Sequence, residues 1–185
     1  MTVRTILRMG DPRLREPARP LTDAQRTSTE LSALVEDMVD TLDAAGGVGL
    51  AAPQIGVPLR LAIIRLKGGP SRYGELPVLP LTVYLNPEIT VLDAAPQGFW
   101  EGCLSVPGLR GWVERPRPIR VCWTELDGAR RERELEGFLA TVFQHEFDHL
   151  DGRLYVDRLA DTRRLVFEDQ LDAWLAAHGE PSPGG

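Results

Sequence analysis

The chain has 185 residues, a formal net charge of −6, 43% hydrophobic and 26% charged residues, and 2 cysteines. That length suits one domain around one core, and the acidic balance argues against bulk nucleic-acid binding. No apolar run approaches the roughly 20 residues of a membrane helix, the stretch from Met1 to Gly10 lacks the apolar core of a secretory signal, and two thiols do not make a disulfide scaffold; the composition points to a cytoplasmic protein without a membrane partner.

Residues 9–20 (MGDPRLREPARP) combine proline and charge and read as an extended arm on the body. Leu31, Leu34, Val35, Met38, Val39 and Leu42 recur at helical spacing, so residues 29–44 predict an amphipathic helix ended by Gly46 and Gly47. Residues 59–66 are β-prone. Residues 67–80 hold three glycines and three prolines and predict a surface loop. Residues 82–86 and 88–92 read as strand on either side of Pro87. Residues 118–126 alternate, with Ile119, Val121 and Trp123 on one face, and Asp127-Gly128 signals a hairpin turn into a charged edge strand over 129–135. Cys122 in that alternating run reads as packing. Residues 137–150 return to helical spacing, and residues 162–177 predict a last amphipathic helix. His178 reads as solvated, and residues 179–185 as a disordered tail. Strands in the middle with helices early and late predict an α+β fold, one catalytic domain over residues 1–178 with a central helix at 137–150.

That central helix carries His145-Glu146-Phe147-Asp148-His149. Positions i and i+4 share a helix face, so two imidazoles can bind one metal ion, and Glu146 beside them can reach a water on it. Two ordinary histidines are the plain alternative. The flanks weigh against it: Phe138, Leu139, Val142 and Phe143 make this a core helix, where two histidines and two acids are costly unless something satisfies them. A hydrolytic metal needs three protein ligands and one open position. Downstream stand Asp151, Asp157, Asp161 and His178; upstream stands Cys103, in Glu101-Gly102-Cys103-Leu104-Ser105. A thiolate suits zinc or ferrous iron, yet a free cysteine is more often a small buried apolar residue. Spacing alone does not choose among these.

Three segments in order resemble the peptide deformylase family: Gly47-Val48-Gly49-Leu50-Ala51-Ala52-Pro53-Gln54, Glu101-Gly102-Cys103-Leu104-Ser105, and His145-Glu146-Phe147-Asp148-His149-Leu150. Weaker likeness runs through Asp11-Pro12-Arg13-Leu14-Arg15 and Leu85-Asn86-Pro87-Glu88. The resemblance implies antiparallel β-sheets around a central helix, and removal of the N-formyl group from the initiator methionine of nascent polypeptides with release of formate. It implies one divalent metal ion, ferrous iron with zinc, nickel or cobalt as substitutes, held by Cys103, His145 and His149, with Glu146 as general base. It implies Gln54 and the Leu104 backbone N–H as donors to the formyl oxygen, Val48, Phe99, Phe138 and Val142 around the methionine side chain, and Gly49 and Arg110 along the peptide. Glu101 and Arg115 are expected to orient a ligand. The partners so implied are formyl-methionyl nascent peptides and the ribosome exit region, met by a monomer.

Three departures from the family pattern stand out. Phe147 replaces the usual methionine and is expected to face away from the metal. Glu114 stands where proline often precedes Arg115. Trp100 is expected at the pocket rim. Three rival readings share the residues: another metal amidohydrolase, an inactive module that holds formylated peptides, and a zinc-stapled structural protein. The last fits poorly, since structural zinc sites usually have four protein ligands.

Overall fold

The computed structural model describes residues 2–71 and 74–179. It is a mixed α+β fold. The helices are α1 (Asp23–Arg26), α2 (Thr29–Ala45), α3 (Gly137–Asp148) and α4 (Leu171–His178). The strands are β1 (Gly49–Ala51), β2 (Leu61–Ser71), β3 (Gly74–Val91), β4 (Pro96–Cys103), β5 (Val106–Pro116), β6 (Ile119–Thr124), β7 (Arg130–Leu135) and β8 (Leu165–Phe167). Two antiparallel sheets form, one in the order β1-β2-β3-β6-β7 and one in the order β4-β5-β8.

The expected helix over 29–44 is α2. The Ser28 side chain accepts from the Leu31 N–H at its start, and Gly46, left-handed at φ 69°, ends it. Strand β2 explains why the core has two halves. Ala62, Ile64 and Leu66 pack with Phe143 and Phe147 of α3, whereas Leu61 and Ile63 on the other face pack with Met38 and Leu42 of α2. Both faces of β2 are thereby covered. Helix α3 touches β1, β2 and β3 on one side and β4 of the small sheet on the other, which is the central position expected of it. Phe147 is buried and packs edge-on against Phe143, on the side of α3 away from His145 and His149, as expected.

The arm at 9–20 does lie on the body, with a short 3-10 turn at Pro12–Arg15 that buries Leu14. The Asp127-Gly128 hairpin and the charged edge strand β7 also form as expected.

Several expectations are overturned. Residues 67–71 and 74–80 are not a loop: they extend β2 and β3 as paired strands, with Leu66 opposite Leu79 and Gly69 opposite Leu76. Cross-strand pairing there outweighs the local breakers, and Gly68 and Gly69 supply positive φ. Strand β3 also runs through Pro87, where the register shifts between Leu85 and Glu88 and Asn86 takes φ 48°; a bulge is where a strand tolerates proline. The expected helix over 162–177 is only α4. Ahead of it lie two 3-10 turns, Thr162–Arg164 and Glu168–Gln170, and between them the strand β8, captured by the exposed edge of β5 with Val166 opposite Arg110. Cys122 does not pack in the core. It lies half-exposed on the outer face of β6, opposite Glu132. His178 is exposed, as expected, and its ring also stacks on Trp174 with centroids 3.9 Å apart. Gly179 is the left-handed cap of α4, and residues 180–185, the rest of the expected tail, lie outside the described residues.

Candidate active site

Strand β4 ends beside α3, and two of its residues reach the helix. Cys103 Sγ lies 3.3 Å from His149 Nε2, and Glu101 Oε2 lies 2.7 Å from His145 Nδ1. One ligand atom each from Cys103, His145 and His149 falls within 4.8 Å of the others. The four groups of the motif, His145, Glu146, Asp148 and His149, are all buried.

For His145 and Asp148 an ionic network makes burial tolerable. Arg115, itself buried, donates from Nε and Nη2 to both oxygens of Glu101 at 2.6 and 2.9 Å, and from Nη1 to Asp148 Oδ2 at 2.8 Å. Arg158 Nε donates to the same Asp148 oxygen at 2.6 Å. Burial pushes the Glu101 carboxyl up, but the Arg115 and His145 hydrogen bonds outweigh it and hold the group below its ordinary range. An ionised Glu101 can only accept, so His145 Nδ1 carries a proton and its Nε2 is the atom left for a metal.

Two polar atoms of the site remain unsatisfied among the described residues: Glu146 Oε2 and His149 Nδ1. Burial pushes the Cys103 thiol up, but the His149 and His145 rings outweigh it and hold it well below its ordinary value. The two rings thus favour the thiolate, the form that ligates metal. Burial pulls the His145 imidazole down, and Cys103 and Glu101 raise it well above its ordinary value; an incoming cation would take the place of the proton on Nε2 and leave the Nδ1–H on Glu101. One thiolate and two imidazoles converging beside an unpartnered carboxylate fit a transition-metal ion with an open position.

The cluster opens into a cavity of about 590 Å³ whose walls include Val48, Gly49, Gln54, Leu104, Phe138 and Val142. Gly49 is required by close approach: a Cβ there would fall 2.5 Å from Glu146 Cδ and Oε1. Gln54 is fixed at both ends. Its Oε1 accepts from the Ala51 N–H at 2.8 Å, so its amide nitrogen faces Ser105 Oγ at 3.2 Å and Cys103 Sγ at 3.6 Å. Arg110 lies at the rim.

Two sequence expectations miss this cavity. Phe99 is not among the lining residues; its ring stands edge-on behind Phe138, with centroids 5.5 Å apart. Trp100 is not at the rim either. It is buried on the far side of the small sheet against Trp112 and Trp174, because successive residues of a strand face opposite ways. In turn, the cavity includes Leu76, Thr141, Leu109 and Glu168, which sequence reasoning passed over. Leu76 comes from the segment read as a loop and Glu168 from the segment read as helix, so the misread elements hid them.

Residues 3–165 match the family model described as polypeptide deformylase. The chain belongs to the peptide deformylase family. It is 44% identical over 172 residues to a peptide deformylase of Leptospira biflexa, covering 93% of this chain and 96% of that one. It is 49% identical over 169 residues to peptide deformylase 1 of Xanthomonas campestris, covering 91% and 97%. Among solved structures, the Met-Ala-Ser-bound class I type b peptide deformylase of Acinetobacter baumannii superimposes with a TM-score of 0.79 at 34% identity, covering 85% of this chain and 99% of that one. The peptide deformylase of Thermotoga maritima gives 0.75 at 37%, covering 87% and 100%. The family's enzymes are metal-dependent hydrolases, and the activity here is theirs: removal of the N-formyl group from the methionine that begins new polypeptides.

Proposed function

We propose that residues 1–178 form a single catalytic domain in which Cys103, His145 and His149 hold the metal and Glu146 is the general base. The observation that carries this reading is the Glu146 carboxylate, buried with Oε2 unpartnered beside three converging donors. A divalent ion bound there supplies Lewis acidity, lowering the pKa of water and polarising a carbonyl. Ferrous iron is the proposed native ion, with zinc, nickel or cobalt as substitutes, because a thiolate and two imidazoles suit each of them.

Burial raises the Glu146 carboxyl above its ordinary range, against the lowering effect of His145 and His149. A base so tuned takes a proton from the attacking water and returns it to the departing amine. As charge builds on the formyl oxygen, the Gln54 amide and the Leu104 backbone N–H donate to it. Gln54 has little freedom to turn away, since its other end is occupied by Ala51.

Val48, Phe138 and Val142 receive the methionine side chain, and Phe99 supports Phe138 from behind. The Gly49 backbone and Arg110 run along the peptide. The proposed partner is a formyl-methionyl nascent chain met near the ribosome exit region by a cytoplasmic monomer, with no bulk nucleic-acid or membrane partner.

The test is formate release from formyl-Met-Ala-Ser under anaerobic conditions, with metal analysis of the same sample. Glu146→Ala should keep its metal and lose about 10²- to 10⁴-fold in rate. Cys103→Ala should lose the metal. A Glu146→Ala protein that still releases formate at the parent rate removes Glu146 as base; an unmodified chain that binds the formylated peptide without turnover makes it the inactive module. The ferrous form should die in air faster than the nickel form, and equal lifetimes would count against iron.

A further inference from the structure

Glu168 lines the cavity together with Arg110, Gly102 and Cys103, yet it lies beyond the residues 3–165 matched by the family model. Arg110 Nε donates to Glu168 Oε1 at 3.0 Å, and Arg110 Nη2 donates to the same oxygen. The remaining nitrogen, Nη1, lies flat against Gly102: a Cβ on Gly102 would fall 2.2 Å from it. One edge of the guanidinium is thus tied to Glu168 and the other is laid along the backbone next to Cys103.

Glu168 is itself held on both sides. Before it, β8 pairs with β5 so that Phe167 faces Leu109 and Val166 faces Arg110. After it, α4 is anchored by Leu171 and Leu175, buried with Trp100 and packed against Trp112 and Trp174. The Arg164 guanidinium sits 4.3 Å from the Trp112 ring centroid, a cation–π contact that ties the start of this segment to the same cluster. The tryptophan cluster lies on the far side of the small sheet from the cavity, and it anchors the segment that carries the Glu168 carboxylate to the cavity wall.

We infer that Glu168 is a positioning residue, which presets the Arg110 guanidinium against Gly102 for the incoming peptide, and that the segment from Leu165 to His178 exists in this chain to deliver it. The inference rests on the reading of Arg110 as a peptide contact. An arginine is a long side chain with many rotamers, and ordering it on binding weakens affinity. Glu168 orders it beforehand, so peptide affinity rises, while neither side chain takes part in the proton transfers assigned to Glu146.

The test is steady-state kinetics of the metal-loaded enzyme on formyl-Met-Ala-Ser, with calorimetric binding of the product Met-Ala-Ser as a second readout. Both side chains are part-exposed, at 23% for Arg110 and 44% for Glu168, so substitution leaves the core filled. Glu168→Ala should raise KM and the product Kd by about 3- to 10-fold, the scale of a partly exposed charged pair, with kcat within about 2-fold. Glu168→Gln keeps an oxygen acceptor and should restore most of the affinity. Arg110→Ala should raise KM at least as much, and the double variant should add nothing further. If Arg110→Ala raises KM and Glu168→Ala does not, the positioning role is wrong and the Arg110 contact stands. If Arg110→Ala leaves KM unchanged, the Arg110 contact itself is wrong. If Glu168→Gln instead changes the preference between formyl-Met-Lys-Ser and formyl-Met-Glu-Ser, Glu168 reads substrate charge directly and the positioning role is overturned.

Discussion

Glu101 Oε2 accepts a hydrogen bond from His145 Nδ1 at 2.7 Å, in the buried core of the site. The contact decides which imidazole nitrogen faces Cys103. It is fixed in turn by Arg115, which grips both Glu101 oxygens. Glu101→Gln weakens that grip and offers His145 an amide in place of a carboxylate. We expect 10- to 100-fold weaker metal retention against a chelator, the range for lost partners of a metal-ligating histidine, with the fold kept. Metal content after dialysis checks it, and parent-like retention would remove Glu101 from the metal site.

Arg115 is buried between Glu101 and Asp148. Arg115→Ala leaves both carboxylates buried with only His145 and Arg158 to answer them. Breaking a buried ionic network from one side costs about 3–5 kcal/mol, so the denaturant midpoint should fall sharply at neutral pH. A loss below about 1 kcal/mol, the worth of a surface pair, would mean that water or relaxation satisfies the two acids.

Gly49→Ala puts a methyl group 2.5 Å from Glu146 Cδ and Oε1. The carboxylate is the part that can yield, so the fold should survive with a loss of about 1–3 kcal/mol. The displaced base should lower kcat by about 100-fold, since an error of about 1 Å in a catalytic group has that scale. Unchanged kcat in Gly49→Ala would show that Glu146 need not stand where it does.

Acid should loosen the first residues of the chain, ahead of the arm. Asp37 accepts from the Arg4 Nε and the Thr2 N–H, each at 2.8 Å. The Arg4 hydrogen bond, against the smaller opposing effect of burial, holds the Asp37 carboxyl below its ordinary value. A carboxyl with a depressed folded pKa stabilises the fold above its unfolded value, about pH 4, and loses that contribution as pH falls through the folded value. The melting point of Asp37→Asn should therefore lie below that of the parent at pH 7, and the gap should close on going well below pH 4. A gap that persists at low pH would assign the effect to shape rather than charge.

Local patterns were the legible part of this protein. Helix α2, the β6–β7 hairpin and the pairing of His145 with His149 on one helix face all follow from spacings of a few residues. At that range the backbone geometry itself dictates who is near whom. Spacing was silent on the third donor, because Cys103 stands 46 residues from His149; there the family resemblance proposed what the fold then brought together. The burial of the motif was also legible, from the apolar run that precedes it.

Other features depended on neighbours that no local pattern names. Phe99 and Trp100 are adjacent in the chain, and the sheet put one behind Phe138 and the other among tryptophans. Residues 165–167 are apolar enough for helix or strand, and the open edge of β5 chose strand. Residues 67–80 carry every sign of a loop, and pairing between β2 and β3 prevailed. Side-chain spacing along one segment is set by covalent geometry, so it could be read from the sequence. The choice of which strand edge, ring or carboxylate meets that segment is set by packing between distant parts of the chain, and only the tertiary structure made it.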